Sequence, residues 1–503
     1  MKMSESAAAM AVNNSAAMAL PAFHGCAAVN GEQASAATVD GIDSRSSNGH
    51  DEKSRILAAR RRFIAPCCSI FFPSDPLLIQ RGSGQFLYDE KGNEYLDCIS
   101  NVQHIGHAHP AVATAVAEQM RLCNCNNRFL HHSLTEAAQA IVSTLPDQLQ
   151  TIFFCNSGSE ANDLALRICT DYTEQKGVVV LDHAYHGHLS SVVDLSPYKF
   201  NGPGGRGKPE HVEIAPLPDV YRGKFRLDNA DLEDAGQLAE MGRLYAEEVA
   251  LAIQRLESRG FRLSAFFMES MISCGGQVIP PPEYLKNVLR IVHQAGGLVV
   301  CDEVQMGFGR IGSHFWAFQL QGPDVVPDIV TMGKPMGNGF PVSALATTSA
   351  IASRLGHGGM QYFNTFGGNP VSCAAVLAVM KVLKAENLQE KAMETGSYLL
   401  HKLKELKSHH ACIGDVRGVG LFAGIELVSD RSTRTPNGAL ASALIACMKS
   451  QYRILLSAEG PDGNVIKFKP PMCFNKANVD LMLEKFDLAL QQLLGRSLST
   501  YCS

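Results

Sequence analysis

At 503 residues the chain can hold two or three domains and bury a large core. Its 46% hydrophobic and 18% charged residues describe an ordinary soluble protein, and a net charge of −5 without a long basic run gives no electrostatic case for nucleic acid. No apolar run approaches the length of a membrane-spanning helix.

Residues 1–54 are rich in Ala, Ser, Asn and Gly and read as a flexible extension that cannot bury enough surface to order itself. As a targeting signal the stretch is ambiguous: Ala and Ser suit a transit peptide, whereas Glu5, Glu32, Asp40 and Asp43 oppose one. The compartment stays open between cytoplasm and mitochondrion. The fifteen cysteines lie scattered in apolar surroundings with no CxxC pair, which reads as free thiols in a reducing compartment.

Ordered structure is expected from about Arg55. QFLYDEKGNEYLDC alternates around Lys91-Gly92-Asn93 as a hairpin, and GHAHP starts a helix with Pro110 in its first turn. TIFFC reads as a strand, followed by Asn156-Ser157-Gly158-Ser159 and a helix with Ala161, Leu164, Ala165 and Ile168 on one face. GVVVLD is nearly all apolar, as in a parallel sheet covered on both faces. Residues 201–225 read as a long surface loop and 237–260 as a helix. Strands at 265–269, 297–302 and 328–333 follow, with the helix PEYLKNVLRIVHQAG between the first two. From about residue 375 helices alternate with short strands such as GLFAGIEL, which fits a second, smaller domain.

Three of these strands end in reactive side chains: AFFME in Glu269, GLVVCDE in Asp302 and Glu303, and DIVTMGK in Lys334. Ligands of open α/β sheets sit at the carboxyl ends of strands. A buried acid and a lysine there suit pyridoxal phosphate, which needs an amine for its aldehyde and a carboxylate for its pyridine nitrogen. Asn156 to Ser159, between a strand and a helix start, can bind a phosphate through free backbone N–H groups. Taken alone it reads first as a plain helix cap, because serine caps are common. Tyr185, ahead of His186-Gly187, can stack on a flat heterocycle or serve as a core aromatic.

SGSEAN, YHGH, MES…GG, DEVQMGFGR, TMGKPMGNG and NTFGGNP, in this order, resemble the class III pyridoxal-phosphate-dependent aminotransferases over residues 60–490. LDCISNVQHIGHAHP, LDHAYHGHLSSV, PYKF, YRGKFR, GKPMGNGFPV and IKFKPPMCF narrow the resemblance to the branch of ethanolamine-phosphate and 5-phosphohydroxylysine phospho-lyases. It implies the aspartate aminotransferase-like α/β fold. A large domain with a parallel-type sheet would span 106–374, and a smaller α/β domain would combine 55–105 with 375–503. Lys334 would form the Schiff base and Asp302 would pair with the pyridine nitrogen. Gln305 would bond the ring hydroxyl, Gly158 and Ser159 would hold the cofactor phosphate, and Tyr185 and His186 would lie at the ring with Glu269. Thr365 would reach the phosphate from a partner subunit, which implies a homodimer or a dimer of dimers. Arg417 matches an arginine that often binds an α-carboxylate.

Ser100-Asn101-Val102 departs from the glycine-containing turn of many class III aminotransferases, and Asn101 would face an unusual substrate. That substrate is expected to be a small phosphorylated amine, phosphoethanolamine or 5-phosphohydroxylysine. Lys334 would remove the proton alpha to nitrogen, after which phosphate leaves from the adjacent carbon. The alternative is transamination of the alanine-glyoxylate or ω-amino acid type, which uses the same residues. Arg222, Lys224 and Arg226 of YRGKFR, and Lys467 and Lys469 of KFKPP, are the cations available to a phosphate. Two further patterns point elsewhere. Gly307 to Gly312 matches G-x-G-x-x-G, but no long helix follows it. His104, His107, His109 and His183, His186, His188 have metal-like spacing, yet strand-end and helix-start positions account for them, and no metal is expected.

Overall fold

The computed structural model describes residues 49–228 and 232–495. The described residues fall into two units, divided between Ala58 and Ala59. In the first, the described residues belong to the helix Gly49–Phe63, so helix already occupies the last residues of the expected 1–54 extension. The remainder of that extension lies outside the described residues.

The second unit is built around a seven-stranded sheet in the order Thr151–Cys155, Ser343–Thr347, Ile329–Met332, Leu298–Asp302, Leu263–Glu269, Gly177–Leu181, Val212–Ala215. Every residue of Gly177–Leu181, Leu263–Glu269 and Leu298–Asp302 is buried, the pattern of a sheet covered on both faces. Helix Gly158–Thr173 lays Ala161, Leu164, Ala165 and Ile168 against it, and burying a Leu or Ile side chain contributes about 1.5–3 kcal/mol. Register matters most for function. Glu269 pairs with Asp302, and Asp302 with Thr331, so both acids and the start of the Lys334 turn share one edge.

Two strands depart from the sequence expectation. Val212–Ala215 forms the sheet edge inside what reads as the 201–225 loop, its register against Val178–Leu181 fixed by pairing that VEIA does not advertise. Ser343–Thr347 runs antiparallel to both its neighbours, making an otherwise parallel sheet mixed.

A four-stranded sheet contains the expected hairpin, Phe86–Asp89 and Glu94–Asp97, together with Ile79–Ser83. The Asp89 carboxylate accepts from Lys91 and Asn93 N–H and so closes the hairpin turn. Its fourth strand, Ile454–Leu455, comes from the far end of the chain and pairs parallel with Glu94–Asp97. A third, antiparallel sheet joins Ile413–Val419, Phe422–Asp430, Val465–Phe468 and Ser457–Glu459. Every cysteine among the described residues is a free thiol, and none of their helices is long and apolar enough to cross a membrane.

Candidate active site

The strand Thr151–Cys155 delivers the chain to Ser157, whose hydroxyl caps helix Gly158–Thr173 by accepting from Glu160 N–H. The N–H groups of Gly158 and Ser159 occupy the first helical positions and have no partner among the described residues. They are free to bind an anion, with the helix dipole adding to them. Gly158 is required here: a Cβ would fall 2.8 Å from Val304 Cγ1. Gly187 (φ +136) is equally constrained, because its Cβ would meet Ser159 Oγ at 2.7 Å. Ser159 Oγ accepts from His188 N–H at 3.1 Å. Glu160 Oε2 gathers Asn156 N–H and the Asn156 and Asn364 amides, tying the loop to NTFGG. Thr365, on that second loop, is exposed.

At the strand ends, Asp302 is 4% exposed and is aimed by three donors. Asn162 Nδ2 at 2.7 Å and His186 Nδ1 at 2.9 Å donate to Oδ2, and Val304 N–H at 3.0 Å donates to Oδ1. Donation from Nδ1 leaves His186 Nε2 as a buried atom with no hydrogen-bond partner. Asn162 is a residue that sequence reasoning missed; a buried amide in an otherwise apolar helical stripe is its only signal. Glu269 Oε2 accepts from Ser273 N–H at 3.0 Å and Oε1 from Tyr185 N–H at 3.4 Å. Burial first, and the nearby Asp302 second, push its carboxyl up to about 7. Lys334 opens a short turn directly after strand Ile329–Met332. Its ammonium is pulled below the usual lysine range by desolvation, against the attraction of Asp302 and Glu269. Nζ makes no hydrogen bond or ion pair among the described residues.

Beyond the acids lies a polar cluster. Gln305 Oε1 accepts from Asn101 Nδ2 at 2.6 Å and from Lys469 Nζ at 3.3 Å, which leaves the Gln305 amide N–H₂ available. Asn101 therefore belongs to the site. Lys469 is 5% exposed and donates also to Ser273 Oγ at 3.2 Å; its partners are all neutral. Desolvation, then Lys467 and Lys334, hold it well below an ordinary lysine. Lys467 pairs with Glu459 at 2.7 Å. Tyr185 meets Tyr198 edge-on at 6.1 Å, and Lys199 lies over both rings. Lys199 is the second residue that sequence reasoning missed, although PYKF is one of the stretches that carry the resemblance.

Three sequence candidates go elsewhere. Lys224 sits on the surface, paired at 2.7 Å with Glu248 of helix Ala235–Ser258. Arg222 is committed to Glu426, Asp462 and Asn464. Arg417 is likewise filled, by Asp415 at 2.8 Å, Glu426 at 2.7 Å and the Gly276 carbonyl. Glu426 supplies a counter-charge to both of these part-buried guanidinium groups. The histidines of the two clusters also separate: His104 bonds Phe308 O, His107 Asp97, His109 Glu386, His183 Asp182 and His186 Asp302.

The site fits pyridoxal phosphate on its own chemistry. It offers unpartnered backbone donors for a phosphate, a buried carboxylate without a lysine or arginine partner for a pyridinium, and a desolvated amine with no competing bond. Glu269 gives a further check. A carboxyl raised from an ordinary 4.5 to about 7 is protonated in the folded apoenzyme while the unfolded chain ionises, so stability falls as pH rises across that interval. The shift corresponds to about 3 kcal/mol. Glu303, also raised by burial to about 7, adds in the same direction. Urea midpoints of apoenzyme at pH 5 and pH 7.5 should therefore differ markedly, and Glu269→Gln should remove roughly half of the difference. An unchanged difference would mean that Glu269 titrates normally.

Residues 73–490 match the family described as aminotransferase class-III. The chain is 52% identical over 427 residues to a Caenorhabditis elegans protein named ethanolamine-phosphate phospho-lyase homolog 1, covering 85% of this chain and 91% of that one. It is 50% identical over 451 residues to the Drosophila melanogaster alanine–glyoxylate aminotransferase 2-like protein, covering 90% of each. Among solved structures it resembles a phospholyase from Arthrobacter in complex with phosphoethanolamine. That likeness has a TM-score of 0.80 and 37% identity, with 86% of this chain and 99% of that one covered.

Proposed function

The chain belongs to the class III aminotransferase family, and from that premise we propose that it is a pyridoxal-phosphate-dependent phospho-lyase that converts phosphoethanolamine and water to acetaldehyde, ammonia and inorganic phosphate. Lys469 carries this reading. A buried ammonium with only neutral partners is incomplete without an anion. Lys467 lies close enough to repel it, and Asn101 shares the Gln305 Oε1 acceptor with it. A phosphate group meets that need. The relatives support it, since one is named for phosphoethanolamine chemistry and another was solved with that compound bound.

The arginines favour phosphoethanolamine over 5-phosphohydroxylysine. Only the latter carries an α-carboxylate, and Arg417, the residue matched to that role, is saturated by Asp415 and Glu426.

Gly158 and Ser159 would hold the cofactor phosphate, Asp302 the protonated pyridine nitrogen, and Gln305 the ring hydroxyl. Bound pyridoxal phosphate supplies a sink for the electron pair left when the carbon next to nitrogen loses its proton. Lys334 Nζ takes that proton, its ammonium held below the usual lysine range by desolvation. Lys469 and Lys467 hold the departing phosphate, which leaves with the electron pair of its C–O bond. One water completes acetaldehyde and ammonia.

A homodimer is the working unit of this reading. Thr365 sits exposed on a loop tied to the phosphate loop through Asn364, beside exposed Phe363 and Phe366. It is thus available to the site of a second subunit.

The test is phosphate release from phosphoethanolamine by holoenzyme without any oxo acid, with sedimentation of the same preparation. Equal phosphate, ammonia and acetaldehyde from a dimer are expected. Absence of release, with amino transfer once pyruvate or glyoxylate is added, would establish the aminotransferase activity that the Drosophila relative's name suggests. A fully active monomer would remove Thr365 from the site.

A further inference from the structure

Arg310, inside the Gly307–Gly312 segment, is 0% exposed and has no carboxylate within ion-pair distance among the described residues. Burial pulls its guanidinium down to about 9, with no acid opposing the shift. A cation left so costly to bury needs a reason. Its bonds supply one. Nη1 donates to the carbonyls of Pro470 at 2.7 Å and Leu421 at 3.2 Å, and Nη2 donates to His104 Nδ1 at 3.2 Å. His104 can accept because its Nε2 donates to Phe308 O at 2.8 Å, which fixes the tautomer. The planar fork of the guanidinium reaches three directed acceptors at once, which a lysine cannot do.

Two of those acceptors belong to segments that carry the site. The 469–472 turn is pinned at three points: Lys469 N–H to Cys98 O at 2.9 Å, Pro470 O to Arg310, and Met472 N–H to His104 O at 2.7 Å. Only the middle pin is a side chain, and it acts one residue from Lys469, whose own side chain crosses to Ser273 and Gln305. The first and last pins are backbone bonds that any sequence could form. They hold the turn without setting the direction of the peptide after Lys469.

We propose that Arg310, with His104 as its acceptor, is the positioning residue that aims Lys469 at the phosphate group of the substrate. This rests on the proposed function, in which Lys469 binds that phosphate. It also assigns a role to the glycine-flanked segment and to the first histidine cluster, neither of which the reaction itself uses. Glycine at 420 keeps the joint tight, since a Cβ there would lie 2.5 Å from Ile311 C and 2.7 Å from Arg310 O.

The test is binding of ethylphosphonate to holoenzyme by calorimetry; this probe has the anionic group but no amine and no C–O bond to break. Wild type, Arg310→Lys, Lys469→Ala and the double variant are compared, with cofactor absorbance recorded for each. Arg310→Lys is expected to weaken binding at least about tenfold with the absorbance unchanged, and to have no further effect in the Lys469→Ala background. Unchanged affinity in Arg310→Lys, or the same weakening on top of Lys469→Ala, would overturn the proposal, as would a wild-type enzyme that ignores the probe. Should Arg310→Lys not fold, His104→Leu removes the Nη2 acceptor and should give a smaller loss of the same pattern; no loss overturns the proposal. Phosphate release is scored separately. Release by wild type with normal Arg310→Lys binding removes this inference and leaves the reaction, whereas the expected binding pattern without release removes the reaction alone.

Discussion

Lys334→Ala is expected to lower phosphate release from phosphoethanolamine by about 10³-fold or more, the scale of losing a general base and a covalent anchor together. The chain should still fold, because the lysine opens a short turn and its Nζ holds nothing else in place. It should also still take up pyridoxal phosphate, since the N–H groups of Gly158 and Ser159 and the Asp302 carboxylate are untouched. What should vanish is the visible absorbance that depends on a Schiff base with the protein, together with resistance of the cofactor to dialysis. Retention of more than about a hundredth of wild-type turnover would assign the proton transfer to another base. Lys469 is the neighbour to suspect, because its ammonium is held low by burial and by Lys334 itself. The replacement would relieve part of that repulsion.

The reactive edge was legible because each part is written locally. A run of apolar residues ending in a charged side chain announces a buried strand end, and Glu269, Asp302 and Lys334 each close such a run. Parallel pairing then puts Glu269 beside Asp302 with no further information. The phosphate loop was legible for the same reason, a strand, a serine cap and a glycine in sequence. Cations were different. A sequence shows that Arg222, Lys224 and Arg417 exist, but not which acid each will find. Glu426, which takes both arginines, lies 204 residues from Arg222. Lys469 was in view only as one of several lysines and arginines; its distinction, a buried ammonium with neutral partners, is a property of the folded site alone. The strands Val212–Ala215 and Ser343–Thr347 were missed because short segments with few large apolar residues take their identity from the neighbours that pair with them.

Asp302→Asn is expected to cut turnover by about 10²–10³-fold while leaving the fold and cofactor uptake in place. The two side chains have the same shape, and the new amide oxygen can keep the bond from Val304 N–H. The amide nitrogen, however, would face Asn162 Nδ2 and His186 Nδ1, both of them donors. His186 can adapt, because its Nε2 is free to carry the proton and turn Nδ1 into an acceptor; Asn162 would lose its bond. The larger effect is the missing charge. At about 4 Å and an effective dielectric near 20, a carboxylate stabilises a pyridinium by about 4 kcal/mol, close to a thousandfold. Asn162→Ala separates the two contributions, since it removes one donor and leaves the carboxylate itself in place. Its loss in kcat should be far smaller, within about tenfold. If the two variants proved equally impaired in kcat, with cofactor absorbance matched, then the orientation of Asp302 and not its charge would be what the reaction requires.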